Sequence, residues 1–192
     1  MKTPLLFLSL LVFLALTAFR PPFISYHALP SESRLAWTGY AETGAYTPTG
    51  TVQLRGGTLE YDGRAVRRVR FEVDMRTIQH EQATLAEHLR GADFFATDRY
   101  PTAVFVLREF RAGTAVGQLT VRGVTWPVTF PVTLTPLPAG RLRLTGVATL
   151  DRTKFGVNYN SSSFFQNLGS YAIRNDFKLT IDVVAARQTP AG

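Results

Sequence analysis

From Leu35 onward, apolar and polar positions alternate with a period of two, the spacing that sends successive side chains to opposite faces of a strand. Leu35 and Trp37 alternate with Ala36 and Thr38. The stretch Thr49–Tyr61 reads as a strand, a Gly56-Gly57 turn and a second short strand. Val69, Phe71, Val73 and Met75 alternate with Arg68, Arg70, Glu72 and Asp74, the clearest half-buried strand of the chain. Further strand signals cover residues 103–107, 116–122, 128–134, 142–150 and 177–184, and a Gly-Val-Thr turn is expected at residues 123–125. Pro131 cannot donate to a ladder, so it predicts an edge or a bulge.

One segment breaks the alternation. Residues 79–90 are rich in helix formers up to Gly91, a plausible terminator, which predicts one helix of about three turns. Eight or nine evenly spaced strands around a single short helix predict an all-β fold, a closed antiparallel barrel or a sandwich. A barrel of about eight strands is wide enough for one small ligand, provided that side chains do not fill it.

The N-terminus is a separate module. Lys2 precedes an apolar run at residues 5–19, interrupted only by Ser9 and Thr17 and closed by Arg20-Pro21-Pro22. Its length suits the core of an export signal better than a membrane span, which needs about 20 residues. The expected division is a signal or anchor at 1–20, a lead-in at 21–32, the barrel at 33–187 and a tail at 188–192. The expected location is the periplasm or the exterior, with an N-terminal tether as the alternative.

Composition narrows the chemistry. The chain has no cysteine, which removes disulfides, thiolate metal sites and cysteine nucleophiles. The net charge of +7 comes mainly from arginines that alternate singly with apolar residues, as in Arg141-Leu142-Arg143-Leu144. That spacing is the solvated face of a sheet and argues against a nucleic-acid partner. Three histidines are too far apart to predict a metal site: on a helix, His80 and His88 would be separated by about 12 Å. Ser161-Ser162-Ser163 lacks a nucleophile elbow and reads as a polar loop, and no phosphate-binding glycine loop is present. Asp93 and Asp98 read as turn formers. Neither a catalytic residue nor a cofactor is predicted.

The remaining chemistry is apolar. Period two predicts an inward face containing Trp37, Val69, Phe71, Val73, Phe105, Leu119, Val121, Phe130, Val132, Leu144, Leu179 and Ile181, with Phe155, Tyr159, Phe164 and Phe165 as an aromatic group in a loop. All but Val69 of the first group, together with Phe155, are candidate cavity-lining residues. Arg90, Arg152 and Arg174 lie beside loops or the helix end and are candidate contacts for a charged headgroup. Their competing reading is as surface residues or as partners of Glu87, Asp151 and Asp176.

Three ordered blocks carry a resemblance. His88-Leu89-Arg90-Gly91-Ala92-Asp93-Phe94-Phe95, followed by Tyr100-Pro101-Thr102 and Phe105, resembles the HLRS-x-DFF…YP-x-x-F block of the YceI-like proteins. Gly117-Gln118-Leu119-Thr120-Val121-Arg122-Gly123-Val124-Thr125 resembles their G-x-L-T-I-R-G-V-T segment. Asp151-Arg152-Thr153-Lys154-Phe155-Gly156-Val157 resembles their D-R-x-x-F-G-I/V segment. The N-terminal third departs from the usual pattern, with Trp37-Thr38-Gly39-Tyr40 and Tyr46-Thr47-Pro48-Thr49-Gly50. The resemblance implies an exported, lipocalin-like barrel that holds a long isoprenoid, a quinone or another lipid, without catalytic residues. It brings transient membrane contact into view and leaves a homodimer open. Two other classes stand beside it: a stress-related interaction barrel with a filled core, and a hydrolase or isomerase working through a perturbed acid or His88.

Overall fold

The computed structural model describes residues 23–188. The expected signal segment at 1–20 and nearly all of the expected tail lie outside them. Nine strands carry the fold: β1 (Ile24–Ala28), β2 (Arg34–Thr38), β3 (Thr49–Tyr61), β4 (Val66–Gln79), β5 (Thr102–Arg111), β6 (Thr114–Val121), β7 (Val124–Leu137), β8 (Arg141–Asp151) and β9 (Asp176–Arg187). One helix, α1 (Ala83–Arg90), lies between β4 and β5. Each strand from β3 to β9 pairs antiparallel with the next. β1 and β2 both pair with β3 on one side and β9 on the other, β1 near one barrel end and β2 near the other. They are two halves of one strand, broken by the single turn Pro30–Glu32. Eight strand positions therefore close into an up-and-down antiparallel barrel, in which every strand among the described residues has a neighbour on both sides.

Several local expectations are corrected. The barrel begins at Ile24, inside the stretch read as a lead-in. Gly56-Gly57 is not a turn, because β3 runs continuously through it, with register shifts against β4 on either side. Gly57 sits opposite Phe71 in the ladder, where a Cβ would lie 2.4 Å from the Phe71 ring, whereas a Cβ on Gly56 would meet nothing within 4 Å. The helix is only 8 residues long. The backbone stays extended to Gln79 because Gln53 N–H donates to Thr77 Oγ1, whose hydroxyl donates to the Asp74 carbonyl, and His80 lies outside the helix. The turn after β6 is Arg122-Gly123, whose two positive φ values match a two-residue hairpin, and Val124 already belongs to β7. Ser161 is fully buried, its hydroxyl 2.6 Å from Asn175 Oδ1, so it is no solvated loop residue.

Pro131 marks a local edge, not a bulge: the β6–β7 register is unbroken there, but the β8 side of β7 is unpaired at this position. Val132 N–H donates to Gly113 on the β6 side, so the odd-numbered positions of β7 face β8. Pro127 and Pro131 both fall there and offer no donor. The β7–β8 ladder accordingly starts only at Val132, opposite Gly146. The buried side chain of Phe155, in the turn Arg152–Phe155, packs in the core, and this turn contacts β7.

Aromatic rings lie flat over glycines in neighbouring strands: Trp37 over Gly50, Phe71 over Gly57 and Phe105 over Gly117. Phe105 also packs against Phe130, with ring centroids 5.4 Å apart. A Cβ on Gly117 would meet Phe105 Cε2 at 2.5 Å and the Val106 carbonyl at 2.6 Å. Gly117→Ala is therefore expected to lower stability by about 1–3 kcal/mol through overpacking, read as an earlier denaturation midpoint in urea. An unchanged midpoint would show that the ring is free to move aside.

Candidate functional site

Inward positions divide into two layers along the barrel axis. The upper layer contains Val52 (β3), Val73 (β4), Ala103 (β5), Leu119 (β6), Leu150 (β8) and Leu179 (β9). These side chains surround a cavity of about 490 Å³. One inward step down the same strands come Leu54, Phe71, Phe105, Gly117 and Ile181, none of which borders the cavity. The boundary is set by side-chain size. Val, Ala and Leu leave the axis open, whereas the phenylalanine layer below closes it.

This layering separates the expected lining residues. Trp37, Val73, Leu119, Val121 and Leu179 border the cavity. Phe71, Phe105, Phe130, Val132, Leu144 and Ile181 are corrected to the packed core beneath it. They share the inward face but lie too far down the barrel. Val69 is likewise core, and Phe155, 2% exposed, borders a second cleft instead.

The helix end of the barrel supplies lining that strand periodicity does not reveal. Leu85, His88 and Leu89 of α1 and the Phe94-Phe95 pair cover the cavity from one side. The spacing of Leu85 and Leu89 on one helix face was the available signal. His88 meets Phe94 and Tyr159 edge-on, with ring centroids 5.4 and 4.7 Å away. His80 instead stacks on Trp37 at 5.8 Å. No cluster of three metal-ligating side chains occurs among the described residues.

At the mouth, Tyr40, Tyr46, Pro48 and Tyr171 border the opening. The loop between Asn160 and Ser170, both of which border the cavity, carries Phe164 and Phe165. These two rings, Tyr46 and Tyr171 are between 50% and 77% exposed. The loop bearing Tyr46 is tied to the opposite segment by Glu42 N–H donating to the Ala172 carbonyl and Arg174 N–H to the Tyr40 carbonyl.

The three arginine candidates fall in different places. Arg152 borders the cavity but is 3% exposed, and each of its guanidinium nitrogens donates to a backbone carbonyl: Nε to Arg174 at 3.0 Å, Nη1 to Val157 at 2.8 Å and Nη2 to Ile173 at 2.9 Å. It is a buried brace for the mouth segments, neither a surface residue nor the partner of Asp151. Burial pushes its pKa below the ordinary arginine value, against the opposing pull of Asp151 and Glu42. Arg174 pairs with Asp176 at 2.8 Å and lies over the Tyr40 ring at the mouth. The hydrogen bond to Asp176 raises its pKa. Arg90 is directed away from the cavity: its Nη1 donates to the Ile78 carbonyl at 2.6 Å, and it borders the second cleft.

Two polar atoms stand out in this apolar setting. Trp37 Nε1 and His88 Nε2, both on cavity-bordering residues, are buried without a hydrogen-bond partner in the protein. Such a group costs roughly 1–3 kcal/mol while it stays unpaired.

The sequence profile of the YceI-like domain matches residues 26–185. A UPF0312 protein from Staphylococcus aureus strain USA300 is 33% identical over 81 residues, 39% of this chain and 47% of the relative. A UPF0312 protein of Staphylococcus epidermidis is 35% identical over a segment of the same length. The chain spans about half the length of the curated relatives it matches. Among solved structures, Burkholderia cenocepacia BcnA superposes with a TM-score of 0.67 at 18% identity, over 83% of this chain and 99% of that one. A polyisoprenoid binding domain from Saccharophagus degradans, implicated in plant cell wall breakdown, superposes with a TM-score of 0.65 at 11% identity, over 86% and 99%. At these identities the likeness is one of fold.

Arg152→Met would leave three carbonyls, that of Val157 buried and those of Ile173 and Arg174 partly buried, without this donor. It is expected to destabilise the protein by about 3 kcal/mol or more in urea denaturation, since hydrogen bonds to charged groups contribute about 1.5–3 kcal/mol each. A cost under about 1 kcal/mol would show that the mouth segments do not depend on the brace.

Proposed function

Since the chain belongs to the YceI-like family, we propose that its barrel is an exported binding protein that holds the chain of a polyisoprenoid-type lipid or quinone, for transport, storage or sequestration. The observation that carries this reading is the cavity of about 490 Å³, lined mainly by aliphatic side chains of the barrel wall and by apolar and aromatic side chains of the helix end, and open at one end. That volume lies in the range of small-molecule pockets, about 300–1,000 Å³. A wholly filled interaction barrel has no such void, and the residues around this one offer no nucleophile–base pair. Binding therefore fits the site better than catalysis.

Hydrocarbon gains affinity by length, about 0.8 kcal/mol for each methylene removed from water. Because Phe105 and Phe130 close the barrel halfway down, that gain has a limit: a long chain fills the upper half and then emerges at the mouth. Trp37 Nε1 and His88 Nε2 favour a ligand with one small polar group, such as a carbonyl or hydroxyl, over a pure alkane. Arg174 is the headgroup candidate that stands at the mouth. Export rests on the apolar run at residues 5–19 behind Lys2. Transient membrane contact is supported by the exposed rings of Tyr46, Phe164, Phe165 and Tyr171, since aromatic side chains settle at the boundary between headgroups and acyl chains.

Calorimetric titration with prenols of increasing length is expected to show affinity rising with each added unit and then levelling off. Ala103→Phe, which puts a ring into the void, should weaken binding by on the order of tenfold or more while keeping a cooperative thermal transition. Wild-type protein that takes up no prenol of any length would overturn the reading. For the mouth, the double substitution Phe164→Ser and Phe165→Ser should slow pick-up from phosphatidylcholine vesicles by on the order of tenfold while sparing affinity for detergent-dispersed ligand. Equal pick-up rates would remove these rings from membrane docking.

A further inference from the structure

A cleft of about 460 Å³ lies beside the cavity, and the 92–96 segment divides the two: Phe94 and Phe95 face the cavity, whereas Ala92 and Ala96 face the cleft. The three sequence blocks meet there. The first contributes Arg90 and Tyr100, the second Arg122, and the third Phe155 and Gly156. A lipid chain in the barrel makes no use of any of these five.

The electrostatics of the cleft are one-sided. Arg90, Arg99 and Arg122 border it, against the single carboxylate of Asp98. Six other arginines pair with carboxylates at 2.5 to 2.9 Å. These three have no such partner among the described residues. Two of them are held rigidly. Arg122 donates to the Gly156 carbonyl and, through Nη2, to the Ala92 carbonyl at 3.0 Å, and Arg90 is fixed on Ile78. A guanidinium has more N–H donors than these bonds use, so both keep donors to spare. The Arg99 guanidinium is bound to no backbone group among the described residues and rests over the Tyr100 ring, its Cζ 5.2 Å from the centroid. A clamp that only joined loops would be complete with Arg90 and Arg122 and would leave Arg99 without a role.

The geometry points to an oxyanion site in this cleft, suited to a phosphoryl group. Guanidiniums arriving from three separate segments match an anion with several oxygens in different directions better than a planar carboxylate, which one Arg satisfies in bidentate fashion. The Arg90 and Arg122 guanidiniums are oriented by their carbonyl partners, and the Arg99 guanidinium, with no hydrogen-bond partner among the described residues, is free to take an anion. The site does not depend on the lipid reading of the barrel, because the cleft and the cavity have different linings.

The test titrates inorganic phosphate, in chloride buffer of constant ionic strength, into ¹⁵N-labelled protein and follows the arginine Nε–Hε signals. Saturable shifts of the Arg90, Arg99 and Arg122 signals are expected, and Arg99→Gln should weaken the affinity about tenfold, equivalent to about 1.4 kcal/mol. A second arm compares sedimentation with phosphatidylcholine vesicles with and without phosphatidic acid. Arg99-dependent binding to the acidic vesicles assigns the site to a lipid headgroup; phosphate binding without it assigns the site to free phosphate. No saturable response in either arm, or an equal response in Arg99→Gln, overturns the proposal. The thermal transition of Arg99→Gln, measured in parallel, separates lost binding from lost folding.

Discussion

An eight-stranded barrel is only just wide enough for its own side chains to fill, so the height at which large residues stop decides whether it is a solid core or a container. Here the aromatic layer sets that height. Phe71 and Phe105 can lie across the barrel because Gly57 and Gly117 face them in adjacent strands. With Phe130 they close the lower half. Above them Val73, Ala103 and Leu119 are too small to meet across the axis, and the cavity is what they leave. The rest of the structure builds on this division: a rigid packed base, an open upper chamber, and a lid of helix and loops.

That lid is held by polar interactions that the barrel wall does not need. The Arg152 guanidinium binds three carbonyls from the 157 and 173–174 segments, and the Tyr40 and Ala172 carbonyls tie the opposing loop to them. A buried charge without a carboxylate partner is expensive unless it is hydrogen-bonded, and here each guanidinium nitrogen donates to a carbonyl. The arrangement fixes the mouth while leaving the aromatic rings on it exposed. A fixed, apolar-rimmed mouth leading to an apolar chamber is the geometry on which the proposed lipid-holding role rests.

Much of the fold was legible in the sequence. Alternation along residues 69–75 and 177–184 gave the correct inward faces, and the three blocks pointed to a closed barrel with one short helix. What alternation cannot give is height along the axis. Val73 and Phe71 share a face, as do Leu119 and Gly117, yet one of each pair borders the cavity and the other belongs to the core. Phase was lost where the strands bulge: Val66 and Val69, like Met75 and Ile78, are both buried three residues apart, the first pair spanning Arg68 with its positive φ. Gly56-Gly57 looked like a turn because glycine signals both chain reversal and close approach, and only the ring of Phe71 distinguishes the two. The role of Arg152 is hidden in the sequence because its partners are backbone carbonyls, which no residue type announces, and two of them lie more than twenty residues away.

The central claim is that the upper chamber is occupied by an apolar chain when the protein is in its native setting. Native mass spectrometry of full-length protein purified without detergent tests it most directly, with organic extraction and fragmentation of whatever is released. The account predicts a mass excess from a lipid with a long hydrocarbon chain and one small polar group, lost in Ala103→Phe. Protein that carries no excess mass, and that remains bare after incubation with excess prenol or quinone, would contradict it.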